Sequence, residues 1–187
     1  MNVYDFDQTV YYPDSSYHFF LYCLKKEPGA VLPVLPKSLM LAIRYKRGKI
    51  GAKDLKQHLF SYLSRIEDPD RMVTEFWESH RSCLQDWYLR QKRDDDLIIS
   101  ASPEFLLAPI AEELGVRLIA TRMERGTGRI LGNNCHDSEK VFRLKAEYPE
   151  ETIENFYSDS LSDTPLAELA EHAFLVKKGK LFPWPNK

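Results

Sequence analysis

Short apolar runs stand at both ends of the chain, and helical spacing fills the middle. Val3-Tyr4, Leu97-Ile98-Ile99, Leu118-Ile119-Ala120, Phe156-Tyr157 and Phe174-Leu175-Val176 are compact apolar runs edged by polar or turn residues. Such runs predict buried strands, placed near 2–5, 97–100, 116–120, 153–157 and 173–177. Helical patterns alternate with them. Ser102-Pro103-Glu104 reads as an N-cap, first helical position and first turn, with Gly115 as the stop. Asp137-Ser138-Glu139-Lys140 opens a second helix whose apolar face is Val141, Leu144 and Tyr148. Strand alternating with helix predicts an α/β protein built on a parallel sheet.

Between the first two strands, residues 11–93 show no period-two alternation. Apolar residues recur there at helical spacing, as in Leu55, Leu59, Tyr62 and Leu63, then Met72, Phe76, Trp77 and His80. Gly48-Lys49-Ile50-Gly51 and Pro69 are natural breaks between helices. The prediction is a core of residues 1–10 and 94–187, with an inserted helical cap over 11–93. Thr121 to Asn134, rich in glycine, predicts a turn-rich excursion or hairpin, and Phe182-Pro183-Trp184-Pro185 a tail packed on the surface. Asp94-Asp95-Asp96 reads as a solvated turn.

Composition narrows this only slightly. At 187 residues the chain holds one sizeable core with an insert. A net charge of −2 argues neither for nor against a polyanionic partner; no nucleic acid is expected. Cys23, Cys83 and Cys135 are odd in number and widely spaced, which excludes a disulfide framework and favours a reducing, cytoplasmic setting. Asp5 and Asp7 interrupt any signal-like run, and Pro33, Pro36 and Lys37 break the longest apolar stretch.

Candidate chemistry sits at the strand ends. Asp5 and Asp7, at i and i+2 in Asp5-Phe6-Asp7-Gln8-Thr9, direct two carboxylates to one side where the first strand stops. Ser100 ends the second strand, Lys140 lies in a helix's first turn, and Asp159 and Asp163 follow the fourth strand. Ligands of open parallel sheets bind beyond these carboxyl ends. A phosphate ester repels an attacking carboxylate, so the chemistry needs cations and donors around it. Lys140 supplies the charge and Ser100 a hydroxyl, while Asp5 and Asp159, with a backbone carbonyl, suit Mg²⁺. Asp5 is the expected nucleophile and Asp7 the proton donor and acceptor.

In this order, Asp5-Phe6-Asp7-Gln8-Thr9, Ser100, Lys140 and Ser158-Asp159 with Asp163 resemble the four motifs of the haloacid dehalogenase superfamily of phosphohydrolases. The helical insert resembles the subfamily that includes phosphoserine phosphatase. The resemblance implies a Rossmann-like core and a Mg²⁺-dependent phosphomonoester phosphatase forming an aspartyl-phosphate on Asp5. It implies Asp7 as acid/base with its carbonyl on the metal, Thr9, Ser100, Ala101 and Lys140 around the phosphate, Asp159 as metal ligand and Asp163 as its support. Gln8 stands where the family often has glycine, Ser158 replaces the usual glycine before Asp159, and Ala101-Ser102-Pro103 replaces a double glycine. A small phosphorylated metabolite is the implied substrate; neither its identity nor an oligomeric state follows.

Nine basic residues lie between Lys25 and Lys56, opposed mainly by Glu27 and Asp54 and interleaved with Leu39, Met40 and Ile43. This stretch reads as a solvated cap face or as a contact for an acidic membrane surface, which would make a phospholipid head-group phosphate an alternative substrate. A non-catalytic anion-binding module is the remaining alternative, disfavoured by Asp7, since binding alone needs no proton donor.

Overall fold

The computed structural model describes residues 1–185. Among the described residues six strands form one sheet in the order β3-β2-β1-β4-β5-β6. They are β1 (Asn2–Tyr4), β2 (Leu97–Pro103), β3 (Arg117–Thr121), β4 (Ile153–Ser158), β5 (Ala170–Lys177) and β6 (Lys180–Pro183). The first five run parallel, and β6 turns back antiparallel on β5. β1 is central, with Val3 opposite Leu97 on one side and Phe156 on the other. The chain leaves β1 toward β2 and β3 and returns to β4 across it, so the topological switch falls at the end of β1.

Adjacent strand residues point to opposite faces, and the core divides accordingly. Val3, Leu97, Ile99, Ile119 and Phe156 join a cluster with Leu144 of α8 (Ser138–Glu147) and Leu166 of α9 (Thr164–Ala167). Tyr4, Ile98, Ala120 and Tyr157 face the other way, toward Leu106 and Ile110 of α7 (Glu104–Leu114). That second cluster continues into the insert through Phe19 of α1 (Ser15–Lys26) and Phe76 and Trp77 of α5 (Pro69–His80). The rest of the insert is α2 (Pro28–Val31), α3 (Leu35–Lys46), α4 (Ala52–Phe60) and α6 (Asp86–Gln91), joined by short 3₁₀ turns. The insert is helical, as its spacing predicts, and Trp77 ties it down by donating to the Leu106 carbonyl at 2.6 Å.

Four local expectations need correction. Ser102 is not an N-cap: β2 runs on through Pro103, a register shift follows Ser100, and α7 starts at Glu104. The predicted stop is observed, with Gly115 at φ 69° ending α7. The predicted surface tail starts inside β6, whose last two residues are Phe182 and Pro183, and Trp184 is buried against Phe156. The fifth strand starts three residues earlier than predicted, at Ala170. Asp96 is buried rather than solvated, its carboxylate accepting the Arg93 N–H at 2.7 Å. The 121–134 excursion is hairpin-like, with Met123 bridging Ile130. Gly128 (φ +71°) presses onto the Phe60 backbone, where a Cβ would collide.

Candidate active site

Asp5 follows directly on β1, and its N–H donates to the Tyr157 carbonyl of β4 at 2.8 Å. Lys140, in the first turn of α8, is 2% exposed. Its Nζ donates to Asp5 Oδ1 at 2.7 Å and to Asp163 Oδ2 at 2.8 Å. Ser158, the last residue of β4, donates its hydroxyl to the same Asp163 oxygen at 2.7 Å. Residues far apart in sequence thus form one buried, hydrogen-bonded network at the topological switch.

Asp7 is anchored differently. Its Oδ1 accepts the Ser15 N–H at 2.6 Å, from the first turn of α1, where the unpaired backbone donors of a helix point. Its Oδ2 accepts the Ser102 hydroxyl at 2.5 Å, and Ser102 also meets Ser16 at 2.7 Å. The side chain expected to cap a helix instead holds a site carboxylate. Ser100 is fully buried and accepts the Ser102 N–H at 3.0 Å. The Ala101 carbonyl accepts the Thr121 hydroxyl at 2.6 Å and the ammonium of Lys56 from α4. Thr9 is buried in the turn after Asp7, its hydroxyl without a partner and without a bond to the other site residues. Gln8 takes φ 59°, the left-handed conformation that a glycine adopts freely and other residues adopt at about 1–2 kcal/mol.

Burial pushes the Asp5 carboxyl upward; Lys140 opposes this, while Asp163 and Asp7 add to it. Burial alone would lower Lys140, yet Asp5 and Asp163 outweigh it and hold the ammonium charged. One cation is therefore shared by two carboxylates and fully neutralises neither. Burial, then Asp163, pushes Asp159 up to about 6. Burial lowers Lys56 to about 8 despite Asp7 and Asp14 nearby. Among the described residues, Lys140 thus meets Asp5 and Asp163 and lies near Asp159, and Lys56 lies near Asp7, so four carboxyls are set against two ammonium groups.

That excess of negative charge fits a divalent cation, as does the buried, unpartnered Oδ1 of Asp163. Among the described residues no three His, Cys, Asp or Glu side chains converge to hold an ion alone. A hard cation here would need backbone carbonyl and water oxygens beside the carboxylates, as Mg²⁺ accepts.

Three contributors escaped the sequence reading. Ser158 looked like a mere departure from glycine, Ser102 like a cap, and Lys56 like one more base on a solvated face. Only long-range packing brings them here, although the pairing of Ser158 with Asp163, five residues on, was open to inspection.

A carboxylate-lined rim with a buried lysine, on a parallel sheet under a helical insert, defines a hydrolase of the phosphoryl-handling α/β class. Residues 3–168 match the haloacid dehalogenase-like hydrolase family, to which the chain belongs. It is 31% identical over 197 residues to Protein CicA of Caulobacter vibrioides, covering 95% of this chain and 86% of that protein. It is 26% identical over 212 residues to a histidinol-phosphatase of Neisseria meningitidis, covering 98% and 96%. A Bordetella pertussis protein of unknown function has a similar crystal structure, with TM-score 0.75, 26% identity and coverage of 92% and 87%.

Proposed function

We propose that this hydrolase is a phosphomonoester phosphatase that works through a phosphoenzyme on Asp5. The observation that carries the reading is Lys140 bridging Asp5 and Asp163 out of solvent, a fixed positive charge beside a carboxylate at the switch point. Asp5 attacks phosphorus, forming the P–Oδ bond as the ester P–O bond breaks. Asp7, positioned by Ser15 and Ser102, gives its proton to the departing alkoxide. It then takes a proton from the water that attacks the acyl phosphate, releasing inorganic phosphate and restoring Asp5. Ser100, Lys140 and the Thr9 and Ala101 region bind the phosphoryl oxygens. Asp5 and Asp159 carboxylates and the Asp7 carbonyl would hold Mg²⁺, with Asp163 in support. When bound, that ion withdraws charge from the phosphoryl group and the surrounding carboxylates.

The substrate is a small phosphorylated metabolite, admitted between a catalytic core (1–10 and 94–187) and a cap (11–93). The histidinol-phosphatase relative supports a phosphomonoester. Free Cys23, Cys83 and Cys135 support a reducing, cytoplasmic setting. Asp5→Asn is expected to abolish Mg²⁺-dependent hydrolysis of an aryl phosphate while the melting transition persists. Undiminished turnover in that variant would reject Asp5 as nucleophile.

A further inference from the structure

α3 buries one face and leaves a structured opposite face in solvent. Ser38 is buried and Leu35, Leu41 and Ala42 are half-buried on the inner side, against α4 and the preceding turn. Pro36, Leu39, Met40 and Ile43 follow one another at three- and four-residue spacing, so they share one face of the helix. That face is outward: Leu39 is 67% exposed, Met40 49% and Ile43 46%, with Leu32 at 53% just before the helix. An aliphatic stripe of this kind on the solvent side needs an explanation that singly scattered apolar residues do not.

The charges around the stripe narrow the occupant. On a helical projection Lys37 and Arg44 flank it on one side and Lys46 on the other, with Arg47 and Lys49 just past the end. α3 contains no acidic residue. A second copy of this face would bring like charges together. Nucleic acid would find the bases but no ring on the stripe, since Tyr45 lies off it. An anionic bilayer satisfies both components: aliphatic side chains enter the headgroup boundary while Lys and Arg reach lipid phosphates. No helix among the described residues is long and apolar enough to cross a membrane, so α3 would lie in the surface plane.

We propose that the outward face of α3 docks this protein on an anionic lipid surface, through Leu39, Met40 and Ile43 with Lys37, Arg44 and Lys46. α3 packs on α4, which carries Lys56 to the site, so the docked face stands one helix from the cleft. The inference does not depend on the catalytic reading.

The test is flotation of the whole chain with vesicles of phosphatidylcholine containing roughly 30% phosphatidylglycerol. Binding is expected at low salt, falling about tenfold or more when NaCl rises from about 0.05 M to about 0.5 M. Leu39→Ser with Ile43→Ser, and separately Lys37→Gln with Arg44→Gln, should each lower it at least about fivefold. Circular dichroism melting confirms that the variants fold. No flotation at low salt overturns the proposal, as does binding at the wild-type level by either double variant. Preferential capture of an RNA oligonucleotide, or a dimer that depends on Leu39 and Ile43, assigns the face to another occupant and overturns it too.

Discussion

Replacing Lys140 by Met keeps the volume of the side chain and removes only its charge and donors. The wild-type ammonium makes contacts of 2.7 Å to Asp5 and 2.8 Å to Asp163, with side chains 3%, 11% and 3% exposed. At an effective dielectric of about 20, a unit pair at this separation attracts by about 6 kcal/mol before desolvation is subtracted. The net consequence of removing one partner from a buried pair is about 3–5 kcal/mol, because the remaining charge is stranded. Here two carboxylates are stranded, so the loss should fall at the upper end. The pH dependence follows from the proton affinity of Asp5. Burial already raises the Asp5 carboxyl, and without Lys140 it takes a proton still more readily in the folded than in the unfolded chain, so stability falls as pH rises through its raised pKa. The deficit relative to wild type should therefore be largest near pH 8 and shrink near pH 5. Urea unfolding in metal-free buffer at both values measures it. A deficit below about 1 kcal/mol at pH 8, or one equal at both pH values, would refute Lys140 as the buried counter-ion.

Other consequences are smaller. Ser158→Gly removes the hydroxyl that holds Asp163 Oδ2 at 2.7 Å and should cost about 1–2 kcal/mol, read from denaturant midpoints; no loss would mean the bond is idle. Asp159, raised to about 6, must shed its proton to hold a cation. Mg²⁺ should accordingly raise the melting temperature above that pH, the gain being lost as pH falls through about 6 and absent in Asp159→Asn. A pH-independent gain would place the ion elsewhere. Lys56→Met frees the Ala101 carbonyl and should raise KM about fivefold, equivalent to about 1 kcal/mol, with a lesser change in kcat. An unchanged KM would remove Lys56 from the site.

Local pattern carried the sheet because each parallel strand contains a short apolar run, and parallel sheets covered on both faces favour such runs. Gly115 likewise marked its helix end through a conformation that favours glycine. β6 was not legible: an edge strand of four exposed residues, ending in proline, has neither alternation nor a buried face to advertise it. Ser102-Pro103-Glu104 failed for an instructive reason. The same hydroxyl that would cap α7 finds a carboxylate partner in Asp7, ninety-five residues away, and β2 extends to deliver it. Lys56 was invisible as a site residue because nothing local separates it from Lys53 or Lys49; only the docking of α4 against the 121–134 hairpin, through Gly128 on Phe60 and Gln57 on Ile130, turns it inward.

These contacts imply that the insert helps set the geometry of the carboxylate it covers. Asp7 belongs by sequence to the sheet, yet one oxygen is held by the N–H of Ser15 on α1 and the other by Ser102 on β2. Lys56 and Trp77 fasten the insert to the same strand-to-helix segment, at Ala101 and Leu106. Displacing the insert far enough to admit a bulky ester would strain the Ser15 bond while sparing the Lys140 network, which lies wholly on core elements. Asp7 is thus oriented jointly by α1 and β2, whereas Asp5 is held between β1, α8 and the turn after β4. The arrangement therefore makes the orientation of Asp7, and not that of Asp5, depend on where α1 packs.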